Sequence, residues 1–505
     1  MFETSRSFFA HSRLTLAITL LFLFGLGFGI RLYDLSDLPL DFHPTRQLLS
    51  ALKARGMYLQ TQGGVPDWQR KMAIQQWRTK AEVEPEVFEH LVAFTYRFTG
   101  EQLWVARVYS SLFWLIGGGF LFLLVRELFS VDGAVLSTAY YIFFPYAVAA
   151  SRSFQPDPLM VMLILCFWWA FMQWGRKEAW SWAVLAGAAG GLAIYIKFVS
   201  VFFVVGGALG LVLGLFRVRD AVRKPQVWVM AVLGLLPGAA YIFYGVVLHG
   251  FLGQQFNGRF IPALLLSPSN YLQWISMANL AAGAAAITLG LLGLLFVQER
   301  LARTFLFGLW GAYILFGLFF DYHIATHDYY SLPLIPIVAI SLAPVADWML
   351  GRVRELTVSR GIRMATLAIF LFGLVATVWD TRNQMKVVDY RPQAAMWAEI
   401  GDRLSHGHNV VALTQDYGSR LAYWGWQDAL IWPNSGDIDY HVARGGTVDL
   451  KERFQDMTHG NAFFLVTDFA ELKRQPELKD ELSGFAVYAR GEGYTIFDLQ
   501  KPVTP

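Results

Sequence analysis

The feature that most constrains this chain is the recurrence of long apolar runs. Eleven of them can be marked, at about 14–33, 103–125, 132–150, 158–175, 180–196, 199–216, 227–247, 271–297, 304–320, 330–348 and 364–379. A run of about 20 apolar residues matches the thickness of a bilayer, so repetition of this kind predicts a polytopic membrane protein. Only 16% of the residues are charged, against about 25% in soluble domains. The single cysteine, Cys166, lies inside an apolar run, which excludes a disulfide framework and a thiolate metal site. The first run is too long for the core of a signal peptide and is followed by no small-residue cleavage site, so it reads as a retained signal anchor.

The connections between runs fall into two sets. One set holds Arg6, Arg13, Arg126, Arg176, Lys177, Arg217, Arg219, Arg223, Lys224, Arg300, Arg303, Arg352, Arg354, Arg360 and Arg363, fifteen basic residues. The short loops of the other set hold three, Arg152, Lys197 and Arg259. The positive-inside rule predicts the first set, and with it the N-terminus, on the cytoplasmic face.

Two segments differ from the rest. Residues 34–102 form a long outer loop containing WQRKMAIQQWRTKAEVEPEVFEHLVAFTYRF, an aromatic and basic mixture suited to helices in the interface plane. Residues 381–505 return to soluble composition, with strand-like NVVALT, NAFFLVTDF and YTIFDL alternating with helical LKERFQDM and AELKRQPELKDELS. The predicted architecture is therefore mainly α. It comprises a transmembrane domain over 1–380 with about 11 transmembrane helices and interfacial helices in the first outer loop, then a small extracytoplasmic α/β domain over 381–505.

The outer loops carry most of the unusual polar residues. The first apolar run ends in DLSDLPLDFHPTRQ, which brings Asp34, Asp37, Asp41, His43 and Arg46 close together, and the same loop adds Glu84, Glu86 and Glu89. SRSFQPDP supplies Arg152, Gln155 and Asp157; IYIKF supplies Lys197; QQFNGRF supplies Asn257 and Arg259; DYHIATHDYYSLPLIP supplies His327, Tyr329 and Tyr330. Ionisable groups at a membrane boundary are costly unless paired or wet, which makes them candidates for function. Each also has a plainer reading. Asp34 and Asp37 suit a helix end and a turn, and Asp157 between two prolines suits a helix cap. Lys197 and Arg259 can anchor spans by snorkelling, and Tyr329 and Tyr330 can belong to an aromatic belt. Glu84 suits a solvated face. His43 and His327 lack the i,i+4 spacing of a metal-binding helix, so no metal ligands are assigned.

Taken in order, these features resemble the GT-C superfamily. The features are an acid just after the first span, a long loop with interfacial helices, a second acid before the fourth span, and HDYYSLPLIP opening a late one. Within the superfamily they resemble the bacterial branch related to dolichyl-phosphate-mannose protein mannosyltransferases and to the aminoarabinose transferase of lipid A, over about residues 10–350. The resemblance implies a cell-envelope enzyme of the cytoplasmic (inner) membrane. Such an enzyme transfers a sugar from a polyprenyl-phosphate donor to an extracytoplasmic acceptor (lipid, glycan or protein) with inversion. It implies Asp41 as the catalytic base, Asp157 as a second acidic site residue, and Lys197 and Arg259 as ligands of the lipid phosphate. Relatives often carry a Lys before a Pro pair where this chain has VEPEVFEH, so Glu84 is read instead as a group for a divalent ion or for the acceptor. No cofactor is required, a divalent metal ion is compatible, and no nucleic acid is called for. The rival from another class is a transporter or flippase of lipid-linked sugars. Such proteins usually show inverted repeats with broken helices at the midplane, whereas here the charges gather at one face.

Overall fold

The computed structural model describes residues 7–253, 259–356, 360–407 and 409–503, and shows a mainly helical polytopic protein with a small sheet domain. Its contacts divide into two compact units. A helical unit holds Met1–Leu35, Ala81–Phe88 and Trp104–Val387, and a sheet unit holds Ser36–Lys80, Glu89–Leu103 and Val388–Pro505. The expected division, a single cut at residue 380, keeps the first loop with the spans. The structure instead puts most of that loop in the unit of the C-terminal sheet.

Among the described residues of the helical unit, eight helices are long and apolar enough to cross a bilayer: Arg13–Leu32, Trp104–Leu128, Asp157–Lys177, Phe198–Leu215, Pro225–Leu248, Arg300–Phe319, Asp328–Glu355 and Met364–Gln384. The remaining expected spans are modified. Trp180–Ile196 is shorter. The run at 132–150 is cut into Val131–Phe143 and Pro145–Ala150, because Phe144, the residue before a proline, takes an extended ψ of 128°. The run at 271–297 is two helices, Pro268–Ala282 and Ala284–Phe296, bent by 93°. The bend sits at Gly283, whose φ of 77° suits glycine far better than other residues. The freed backbone groups find partners: Tyr140 Oη donates to the Ala282 carbonyl at 2.6 Å, and the Ala284 amide donates to Asn279 Oδ1 at 2.8 Å. Inside a bilayer a break survives only when its backbone groups are satisfied in this way.

Small residues set the closest packing. Gly206, Gly210 and Gly214 lie one turn apart and press against Gly308, Thr304 and Leu301 of the Arg300–Phe319 helix, where an added Cβ at any of the three would collide. At the end carrying most of the basic residues the charges are paired. Arg354 bonds Asp132, which also accepts from the Phe8 and Phe9 amides, and Arg176 bonds Glu127 at 2.7 Å.

In the sheet unit, strands β1 (Val410–Leu413), β2 (Leu430–Ile431), β3 (Phe463–Val466), β4 (Phe485–Gly491) and β5 (Tyr494–Pro502) lie in the order β2-β1-β3-β5-β4. The β1 pairings with β2 and β3 are parallel, and β5 runs antiparallel to β3 and β4. Alternation along the strands feeds two cores. Trp397, Ile400, Leu421, Leu465 and Ile496 build one, and Trp432, Phe454, Phe464, Leu478 and Leu482 the other. The stretch AELKRQPELKDELS forms Phe469–Arg474 and Pro476–Ser483, split where Pro476 starts a new helix.

The first-loop helices Pro44–Gln60 and Asp67–Thr79 pack inside this unit, and their polar residues explain why. Arg55 is 2% exposed; it donates to the Tyr423 carbonyl at 2.5 Å, the Ala422 carbonyl at 3.0 Å and Gln76 Oε1 at 2.8 Å. Its guanidinium lies 3.9 Å from the Trp426 ring centroid. A buried cation needs acceptors of this kind, and the C-terminal chain supplies two of the three. The third helix, Val87–Thr99, leaves Phe94 and Phe98 exposed, an apolar face of the kind expected of an interfacial helix.

Candidate active site

In the helical unit the polar candidates meet where several helices end. Asp157 opens the Asp157–Lys177 helix, where the N-terminal dipole favours a carboxylate. Pro156, whose side chain has no hydrogen-bonding group, is the cap residue, and both Asp157 carboxylate oxygens accept from Lys197 Nζ, at 2.8 and 2.9 Å. Lys197 is the residue at which Trp180–Ile196 ends, with extended backbone. Both side chains are buried, at 3% and 7% exposure. An isolated charge there would be expensive, and the pairing offsets that cost.

Lys197 Nζ also lies 5.1 Å from the Tyr329 ring centroid and 6.0 Å from that of Tyr330. Arg259 Nη1 donates to Tyr330 Oη at 3.0 Å, which joins the second cation to the same pair of rings. His327 and His323 stack at 5.6 Å, and both lie within 6.0 Å of the Tyr330 ring. Burial, with Arg259 and His327 beside it, lowers the His323 imidazole to about 3, so His323 is neutral at physiological pH. Asp321 is buried and accepts from the Ile261 amide at 3.2 and 3.0 Å and the Tyr322 amide at 2.7 Å; burial raises its carboxyl and those amides pull it back. Glu84 belongs to the Ala81–Phe88 segment of this unit and, with Glu82 and Glu86, lies near Tyr241. Asn257 falls outside the described residues. Arg152 donates to the carbonyls of Tyr33 (2.7 Å) and Asp34 (3.2 Å), closing the end of the first helix.

Asp41, His43 and Arg46 lie in the sheet unit. Asp41 is exposed, and Gln47 Nε2 reaches its Oδ1 at 3.5 Å while bonding the Phe42 carbonyl at 2.6 Å. His43 is the cap residue of Pro44–Gln60, held at φ 44° with its ring edge-on to Phe42 at 4.6 Å. A non-glycine residue there is uncommon, and the proline that follows fixes the turn. Arg46 stands in the first turn of the same helix, its amide donating to the His43 carbonyl at 3.0 Å. Tyr390 is the neighbour that the sequence did not disclose. Its phenol is raised by burial and then by Asp41, with Arg420 acting in the opposite sense. Arg420 is fixed by Asp416 at 2.5 Å and Gln393 at 2.6 Å. Asp37 accepts from the amides of Leu38 (2.8 Å) and Tyr390 (3.1 Å), a turn role like that read from its position.

Among the described residues, no three His, Cys, Asp or Glu side chains gather in a metal-binding arrangement. The residues that sequence reasoning missed, Asp321, His323, Tyr390, Asp416 and Arg420, share no spacing motif. Only the quoted run DYHIATHDYY contained any of them.

The fold has known counterparts. The chain is similar to the apo crystal structure of ArnT from Cupriavidus metallidurans, at 16% identity and a TM-score of 0.59, over 96% of this chain and 98% of that one. The same protein bound to undecaprenyl phosphate matches at 15% identity and a TM-score of 0.55, with the same coverage. Archaeal oligosaccharyltransferase AglB from Archaeoglobus fulgidus, in complex with an inhibitory peptide and a dolichol-phosphate, matches at 12% identity and 0.53, over 95% and 74%. These likenesses define a class of fold. Residues 83–244 match the family model "Dolichyl-phosphate-mannose-protein mannosyltransferase". No curated protein matches the chain in sequence. Fold and family match point the same way: the chain has the fold of these membrane proteins, and part of it, residues 83–244, is similar to the dolichyl-phosphate-mannose-protein mannosyltransferase family.

Proposed function

We propose that this protein transfers a sugar from a polyprenyl-phosphate carrier to an acceptor outside the cytoplasmic membrane, inverting the anomeric centre. One observation carries most of the weight: Lys197, Asp157, Tyr329, Tyr330 and Arg259 form one connected cluster at the ends of apolar helices. A phosphate attached to a membrane-embedded chain has to present its charge at such a place. Arg259 can bind it through two parallel N–H bonds, exchanging its tyrosine hydroxyl for a phosphate oxygen. Lys197 is oriented by its two bonds to Asp157 and has a third N–H to offer a phosphate oxygen. As the sugar leaves, charge grows on the phosphate, which fixed cations stabilise without an acid.

Asp41 is proposed as the general base that takes the proton of the attacking acceptor group. Asp157 is proposed as a second acidic residue, acting through Lys197, and His43, Arg46, Glu84, His327, Tyr329 and Tyr330 as further candidates. The bound-lipid structures of the relatives support a polyprenyl-phosphate donor, and the lipid- and peptide-related names among them leave lipid and protein acceptors as the classes to assay first. Purified protein should form a glycosylated product from a polyprenyl-phosphate sugar. Lipid flipping without product from any such donor would overturn the assignment in favour of a transporter. The orientation proposed, with the N-terminus cytoplasmic and residues 381–505 outside, predicts that cysteines introduced into the tail react with impermeant reagents in intact cells. Protection of the tail would reverse the topology.

A further inference from the structure

We infer that Asp321 is a positioning residue for Arg259, holding the backbone from which that arginine reaches the donor phosphate. The inference rests on the reading of Arg259 as a phosphate ligand. Arg259 is carried on a connection between helices, and such a connection needs something to fix the start of a long side chain. Two residues further on, the Ile261 amide lies within hydrogen-bond reach of both Asp321 carboxylate oxygens, at 3.2 and 3.0 Å. Asp321 is 1% exposed and sits at the start of the Asp321–Thr326 helix. Its Oδ1 also accepts from its neighbour Tyr322 at 2.7 Å, and its carbonyl accepts from Asn270 Nδ2 at 3.3 Å. Between the two residues, Phe260 stacks on Phe319 at 6.2 Å. The segment 259–261 is thus held at Phe260 and Ile261, and Arg259 projects from it to Tyr330.

A buried carboxylate placed only for stability would be a poor choice, because amides can be satisfied by neutral acceptors at lower desolvation cost. A carboxylate forms stronger, shorter bonds to N–H groups and so fixes the backbone more narrowly. What that precision serves is the tip of Arg259, since a side chain aimed from a mobile backbone spends part of its binding energy on ordering itself.

The test uses the full-length protein, in detergent or nanodiscs, with undecaprenyl phosphate as the probe. Asp321→Ala should weaken its binding about tenfold, on the scale of one charge-assisted hydrogen bond. The double variant Asp321→Ala/Arg259→Ala should bind no more weakly than Arg259→Ala alone, because the first residue acts only through the second. Asp321→Asn retains a neutral oxygen acceptor and should recover only part of the loss. Hydrogen exchange at the Ile261 amide should accelerate in Asp321→Ala and not in Arg259→Ala, a readout that needs no lipid. Additive losses in the double variant, or unchanged exchange at Ile261, would overturn the inference. If the wild type bound no undecaprenyl phosphate, the donor reading would fall and this inference with it, and the exchange result would still report whether Asp321 holds the segment.

Discussion

The two units manage their charged candidates in opposite ways. In the helical unit Asp157 and Lys197 are both buried and saturate each other, and Arg259 is held on a tyrosine hydroxyl. In the sheet unit Asp41 is exposed, and beside it Gln47 is held on a carbonyl and Arg420 between Asp416 and Gln393. The difference teaches what each set is suited to. A group that must hold a charged ligand against competing water works best when desolvated and fixed. A group that must give and take a proton works best when its carboxylate keeps room for the incoming acceptor.

The largest expected effect breaks the comparison on its exposed side. Asp41→Asn keeps size and most hydrogen bonding but cannot take a proton, so kcat should fall about 10²–10⁴-fold while donor affinity changes little. Full turnover by this variant would remove Asp41 as the base. On the buried side, Asp157→Ala leaves Lys197 as an uncompensated charge and should cost about 3–5 kcal/mol of stability, visible as a fall in Tm. The paired replacement Asp157→Leu/Lys197→Met should recover most of that loss while abolishing transfer. Recovery of activity along with stability would reduce the pair to a structural one. Arg259→Ala should weaken donor binding by about 1.5–3 kcal/mol, read by titration with undecaprenyl phosphate, with little change in Tm. Tyr330→Phe, which removes only the hydroxyl on which Arg259 rests, should shift the same titration by about 0.5–1.5 kcal/mol.

The smallest effect at neutral pH concerns His323. Its folded value of about 3 lies below the ordinary imidazole value of 6.5, so between those values the unfolded chain binds the extra proton. The stability associated with neutral His323 is therefore complete above pH 6.5 and is lost as pH falls toward 3. His323→Gln should flatten the acid limb of the stability profile measured between pH 7 and 4, and an unchanged limb would contradict the assignment.

Much of the fold was open to sequence reasoning because hydropathy is additive along a chain. The apolar runs identify the helices of the bundle, and NVVALT, NAFFLVTDF and YTIFDL coincide with β1, β3 and β5. The run at 271–297 shows where that reasoning ends: a hydropathy window takes Gly283 as one more small residue, yet its φ of 77° turns the chain by 93°. The candidate site divides similarly. The charge of Lys197 and its place at a span boundary are sequence facts, whereas its partner lies 40 residues away. Neither Tyr390 beside Asp41 nor Asp321 under Ile261 belongs to a pattern, because each is defined by what it faces.

The sequence by itself determined that this is a membrane protein, how many apolar stretches it has, and which residue types stand at their ends. Those properties depend on transfer between water and lipid, which each segment carries alone. The tertiary structure decided where the first loop belongs. Its helix Pro44–Gln60 bears Arg55, and a buried guanidinium can be satisfied only by acceptors at fixed positions. Those acceptors are carbonyls of residues 422 and 423, more than three hundred residues along the chain, and no local property of either segment encodes their meeting.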